Sequence, residues 1–359
     1  MGYCGATCMD SANNSPSRRD FLRQTSLIAG GLFLGAARLS AIPLLSSGTT
    51  AKALPQRILG KTRAQVSTLS LDIAPCGLST AVSTRQIADI VNAALDQGVN
   101  FIDSARTSGK AEEGIGMALG RRRRETFLST KVWADTPADA ERSLAASLRS
   151  LKTDYVDLLC FHNLGTRNFQ EATGPDGVFT WLLKQKQAGK TRFAGISGHN
   201  LSERFPAYIR TNQIDVIMMV LNFVDRHIYA FEEKILPLAQ EHNLGVVAMK
   251  VFGGVRGGLG AHIGQKPVPQ MPDDYLELAV RYVLNLPGVA AANIGVYDAP
   301  QLRKNIAMVE NFKPLTPREQ NLLDLAGRKL ASQWRPHFGP IISYPPFMEC
   351  RENNAVFTV

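Results

Sequence analysis

FIDSARTSGKAEEGIG, residues 101–116, holds the end of one strand and the start of one helix. The apolar run Val99 to Ile102 stops at a carboxylate, Asp103. Small and polar residues follow, then Gly109, then a helical pattern. A strand covered on both faces tolerates a charge only at its tip, where partners can meet it. The stretch therefore predicts a βα unit that delivers a carboxylate to a shared surface.

Working outward, the same unit recurs. The predicted strands are LSLDIA (69–74), VNFIDS (99–104), TFLSTKV (126–132), VDLLCFHN (156–163), RFAGIS (192–197), VIMMVLN (216–222), GVVAMKV (245–251) and VAAANIGV (289–296). Each is largely apolar through its length. Amphipathic stretches separate them; TRQIADIVNAALDQG (84–98) has a Thr start, a 3.6-residue period and a glycine stop. Eight such units predict an α/β (β/α)₈ TIM barrel. A doubly wound sheet is the alternative, but it wants a glycine-rich turn after the first strand, and APCGLSTAVS (74–83) has no G-x-G-x-x-G. RILGKTRAQVSTLSL (57–71) reads as an N-terminal hairpin capping the barrel's bottom. FGGVRGGLGAHIGQKPVPQM (252–271) reads as a flap over a ligand. The C-terminal tail is expected to wrap the mouth, with Trp334, Phe338 and Tyr344 as candidate walls and Tyr344 as a candidate phenol.

The composition is that of a globular protein: 359 residues, 45% hydrophobic and 20% charged. The cysteines, at 4, 8, 76, 160 and 350, form no C-x-x-C pair, so the reading expects no metal site and no iron–sulfur cluster. The formal charge is +9, and its densest cluster is Arg121–Arg124. Without interleaved aromatics that cluster reads as a solvated helix end, and nucleic acid is not an expected partner.

The N-terminal region reads as an address. SRRDFLRQ (17–24) precedes LIAGGLFLGAARLSAIPLL (27–45), and Ala51-Lys52-Ala53 lies before Leu54. Paired arginines, an apolar stretch and an A-x-A site predict a twin-arginine signal over 1–53, with a barrel and C-terminal extension over 54–359. The expected partner is the twin-arginine export machinery. The expected location is the periplasm, or a membrane if the segment is retained. That route carries folded cargo and raises the expectation of a bound cofactor.

At the predicted strand ends stand Asp103, Lys131 and His162. A carboxylate, an amine and an imidazole on three adjacent strand ends point to a site at the barrel mouth. Here the residues carry a resemblance. VNFIDSA, LSTKV, LLCFHN, FAGISG and IGVYDAPQLRKNI, in this order and spacing, resemble the aldo/keto reductase family over about residues 55–310. The resemblance implies hydride transfer between a reduced nicotinamide and a carbonyl, on an aldehyde, ketone or sugar. It implies that Asp103 holds Lys131 charged and that His162 orients the carbonyl.

The same resemblance places a tyrosine acid where this chain has Ser108. An alkyl hydroxyl is far less acidic than a phenol and much shorter. His162, Lys131 or a water is left as the donor. The resemblance puts Ser197 and Asn222 near the nicotinamide, Met249 against its face, and Gly295, Gln301 and Asn305 at the adenine end. Lys250 either meets a phosphate or reaches solvent. Arg303 and Lys304 are expected to face elsewhere. Gln301 lacks the guanidinium that would grip a 2′-phosphate, so NADP(H) is the family default and NAD(H) stays open. The alternative reading is an impaired cofactor-binding or scaffold protein on the same barrel.

Overall fold

The apolar runs become parallel strands because both of their faces are covered. The computed structural model describes residues 54–164, 168–254 and 269–341. The expected export segment, the centre of the expected flap, Tyr344 and Cys350 lie outside them. Strands β1 (Gln56–Ile58) and β2 (Gln65–Ser67) form the antiparallel hairpin. Then come β3 (Leu69–Asp72), β4 (Phe101–Asp103), β5 (Phe127–Val132), β6 (Val156–Phe161), β7 (Thr191–Gly198), β8 (Val216–Val220), β9 (Gly245–Met249) and β10 (Val289–Gly295). These eight close into a barrel in which β10 pairs with β3. The (β/α)₈ reading is correct, and the doubly wound alternative is not.

The helices are α1 (Ala74–Leu78), α2 (Thr84–Asp96), α3 (Ala111–Leu119), α4 (Pro137–Leu151), α5 (Phe169–Thr173), α6 (Val178–Gln187), α7 (Phe205–Ile209), α8 (Leu236–Glu241), α9 (Leu276–Asn285), α10 (Ala299–Glu310) and α11 (Pro317–Trp334). Local chemistry sets their starts. Ser83 caps α2 in a reciprocal box with Gln86, and Asp298 caps α10 through the Gln301 amide.

Two layers of core result. Inside the barrel, Phe101, Phe127, Leu158, Met218 and Val247 pack with Leu59 and Val66 from the hairpin region. The hairpin thus plugs the end opposite the strands' C-termini. The larger cluster fills the space between strands and helices.

The structure departs from the sequence reading in three places. Several strands end earlier than predicted: Ala74 already belongs to α1, and His162, Asn222 and Lys250 lie beyond their strands. Helix α11 was not anticipated, because few of its residues (Leu323, Gly327 and Trp334) are buried. The Arg121–Arg124 cluster is not simply solvated. Arg122 donates to Asp96, while Arg123 is buried and donates to Asp157 at 2.8 Å.

Candidate active site

Parallel pairing sets Asp72 of β3 beside Asp103 of β4, and Asp103 beside Ser129 of β5. All three point into the barrel mouth, and so does Lys131, two residues beyond Ser129 on the same strand face. Lys131 Nζ donates to Asp103 Oδ1 and Oδ2 at 2.7 and 2.6 Å and to the Ser104 carbonyl at 2.8 Å. An ammonium has three protons, and all three are committed. Asp103 also accepts from the Ser129 hydroxyl and from Asn293 Nδ2, the latter at 2.8 Å. Ser70 holds Asn293 in turn through its Oδ1.

Asp103 is 1% exposed and Lys131 6%. Burial pulls the Lys131 amine down, but the charges of Asp103 and Asp72 and the Asp103 hydrogen bonds outweigh it and leave it above its ordinary value. Lys131 is therefore a fixed cation.

Asp72 was missed by the sequence reading. Its Oδ1 accepts from the Ala74 amide at 2.9 Å. Burial, then the neighbouring Asp103 charge, pushes its carboxyl up, against the pull of Lys131, the Ala74 amide and Lys250. Ser108 is buried in the turn after β4, where its amide donates to the Ala105 carbonyl. Helix α1 presses on that turn: a Cβ on Gly77 would lie 2.1 Å from the Ser108 carbonyl oxygen.

His162 sits one residue past β6, its amide bonded to the Val132 carbonyl. Its ring lies 6.2 Å from Trp133 and 6.3 Å from His199. His199, just past β7, is buried and extends this wall.

A cavity of about 240 Å³ opens against Asn293, the side chain that donates to Asp103. Asp72, Lys250, Asn293, Gly295, Gln301 and Asn305 line it. Four of the expected cofactor residues thus meet in one space. Lys304 lines it too, contrary to the reading that turned it away. Lys250 has no carboxylate within ion-pairing distance among the described residues, and burial lowers its amine, with Asp72 opposing and Lys131 adding. Its Nζ stands 5.8 Å from the centre of the Phe338 ring.

The other expected residues are placed as follows. Met249 ends β9 within the barrel's inner cluster. Ser197 is buried on β7, and its hydroxyl has no hydrogen-bond partner among the described residues. Asn222 is spent within the fold. It donates to Asp225 Oδ2 and the Lys250 carbonyl, at 2.6 and 2.9 Å, and accepts from the Val224 and Asp225 amides. It positions Lys250 rather than offering a free amide. Gln301 Oε1 accepts from the Tyr297 amide at 2.9 Å and fixes the turn after β10.

The tail reaches this mouth. Trp334 packs on Gly253, where an added Cβ would lie 2.7 Å from the indole. The Phe338 amide donates to the Tyr229 hydroxyl at 2.6 Å, and the Phe338 ring lies 5.7 Å from His199. His337 Nε2 stands 3.5 Å from Asp225 Oδ1, with both side chains buried. Burial pushes Asp225 up to about 7 and lowers His337. The base of the expected flap is pinned by mutual bonds between Phe252 to Gly254 and Pro269 to Met271.

The arrangement offers a fixed buried cation, two imidazoles and a cleft lined by polar side chains. Comparison with known proteins gives a consistent picture. The sequence model of the Aldo/keto reductase family matches residues 73–267. The uncharacterized oxidoreductase YqkF of Bacillus subtilis is 29% identical over 301 residues, covering 71% of this chain and 93% of the relative. The holo form of aldo-keto reductase AKR11C1 from Bacillus halodurans superposes with a TM-score of 0.61 at 24% identity, over 81% of this chain and 98% of the other. An aldo/keto reductase from Klebsiella pneumoniae, solved with NADP and acetate, gives 0.61 at 24% identity, over 75% and 94%. At these identities the two structures speak for the fold alone.

Proposed function

This chain belongs to the aldo/keto reductase family, and on that premise we propose that its mouth binds NADP(H) and interconverts a small carbonyl compound with its alcohol. The substrate class is an aldehyde, ketone or sugar. The observation that carries the reading is the buried Lys131–Asp103 pair, a charged device kept at a strand end where an apolar core would cost less.

The residues present fit a dinucleotide. The unpartnered Ser197 hydroxyl offers a hydrogen bond at the nicotinamide end, and Lys250 offers a cation to a phosphate. Gly295, Gln301, Lys304 and Asn305 would receive the adenosine half. When bound, the cofactor supplies or accepts the hydride. The chain's own groups do the rest. His162 holds the carbonyl oxygen, Lys131 and Asp103 fix the field around it, and the aromatic walls exclude water.

The test is consumption of NADPH, and of NADH beside it, by residues 54–359 over a panel of aldehydes, ketones and sugars. Turnover with a preference for NADPH supports the reading. NADPH quenching without turnover on any substrate favours the second reading, a cofactor-binding scaffold, for which Ser108 in place of a phenol speaks.

For residues 1–53 the proposal is export by the twin-arginine route to the periplasm. Fractionated cells expressing the full chain should hold it outside the cytoplasm, and Arg18→Lys with Arg19→Lys should trap it inside. Equal export of both would end that proposal.

A further inference from the structure

Hydride delivery to a carbonyl carbon leaves an alkoxide that must collect a proton. The function proposed above, on which this inference rests, leaves that donor unassigned. Ser108 is a poor acid. Lys131 has all three protons bound in the fold. Asp103 accepts from Lys131, Ser129 and Asn293, as an ionised carboxylate does.

Asp72 differs from all of these. It lies one strand over from Asp103, in register and on the same inward face. Adjacent strands are about 4.8 Å apart, so the two carboxyl groups share one small space, in which Lys131 bonds to Asp103 and not to Asp72. Oδ1 takes the Ala74 amide, while Oδ2 has no partner among the described residues. The side chain lines the cavity that the cofactor would enter. Helix α1 begins just after Asp72 and rests on the Ser108 turn, so both residues occupy one edge of the mouth.

We propose that Asp72 is the proton donor of this site, supplying from β3 the proton that residue 108 does not. The step balances. The carbonyl carbon gains a hydride from the reduced nicotinamide, and the C–O π pair moves onto oxygen. The Asp72 Oδ2–H bond breaks and its proton joins that oxygen. The alcohol leaves, and the carboxylate recovers a proton from solvent.

The groups facing Asp72 define its titration. Burial, and then Asp103 on β4, push its carboxyl up. Lys131 on β5, Lys250 beyond β9 and the Ala74 amide oppose them. Cys76 on α1 stays a neutral thiol, pushed up to about 12, chiefly by burial.

Two measurements on the full chain test the assignment. Infrared difference spectra, wild type minus Asp72→Asn, read the proton without any substrate. A protonated-carboxyl band at neutral pH that fades as pH rises is expected; an ionised Asp72 at neutral pH overturns the proposal. Single-turnover hydride transfer is the second. Asp72→Asn should slow it by about 10²–10⁴ at saturating NADPH. Adding Ser108→Tyr to Asp72→Asn should restore the rate and carry the alkaline limb of the pH profile towards the phenol range. A residue that merely shapes the mouth is not rescued by a phenol on another loop, so failure of that rescue with NADPH still bound overturns the proposal. If the wild type binds no NADPH, the function proposed above fails, and the infrared band still decides where the proton sits.

Discussion

Lys131→Met is expected to lower kcat by about 10²–10⁴ on any substrate the wild type turns over. The reason is electrostatic. Among the described residues the ammonium is the one positive charge bonded to Asp103, and it stands at the mouth where the proposed reaction would build negative charge on the carbonyl oxygen. Methionine matches the length of the stem and keeps the packing, but it leaves Asp103 without its cation. Removing one member of a buried pair commonly costs about 3–5 kcal/mol. Part of that returns here, because Ser129 and Asn293 still donate to Asp103. Steady-state kinetics and a thermal melt on the same sample separate the two effects. A folded Lys131→Met protein with undiminished turnover would remove Lys131 and Asp103 from the chemistry.

The second large effect is on stability and lies at the other end of the barrel. Asp157 on β6 is 2% exposed and accepts from Arg123 at 2.8 Å, Arg192 at 2.6 Å and the Leu128 amide at 2.9 Å. Arg123 also donates to the Thr126 and Tyr155 carbonyls and lies over the Tyr155 ring at 4.1 Å. Asp157→Ala removes the only carboxylate bonded to Arg123 among the described residues. The expected loss is about 3–5 kcal/mol, or a fall in Tm of roughly 10 °C for a domain this large. Kinetic constants on the remaining folded protein should not change. The exposed pair Arg85 and Asp89 gives the contrast, since such pairs contribute about 0–1 kcal/mol. The double change Arg123→Met with Asp157→Leu should recover part of the loss, because the one charge of this network that it leaves, Arg192, is exposed. Equal melting of Asp157→Ala and wild type would show that the network adds nothing.

The barrel was legible because its signal is redundant. Eight apolar runs at regular intervals leave few other architectures, and errors of a residue or two at each end change nothing. Asp103 and Lys131 were legible for a different reason: a charge at the end of a buried strand is anomalous by itself. Asp72 is just as anomalous, but the predicted strand LSLDIA runs past it and sets it at no end. Its meaning comes from register with Asp103, a pairing that no local pattern states. The commitment of Asn222 was hidden in the same way, since its partners include a backbone carbonyl on another strand's loop. Lys304 was expected to face elsewhere, but it lies one turn from Gln301 on α10 and long side chains reach around. Helix α11 did carry a local signal, the Thr316–Glu319 capping box. Its sparse apolar face, with Leu325 exposed, obscured the period.

Lys250 holds a backbone angle of φ 57°, the left-handed region where glycine is at ease and a lysine is not. Its ammonium also sits half-buried with no opposing charge at contact distance among the described residues. Both features work against folding, and a glycine would relieve both at once. With the phosphate contact proposed above, selection for heat tolerance alone would discard this lysine, while selection for turnover would hold it. The position marks where the demands of persistence and of usefulness part company in this chain.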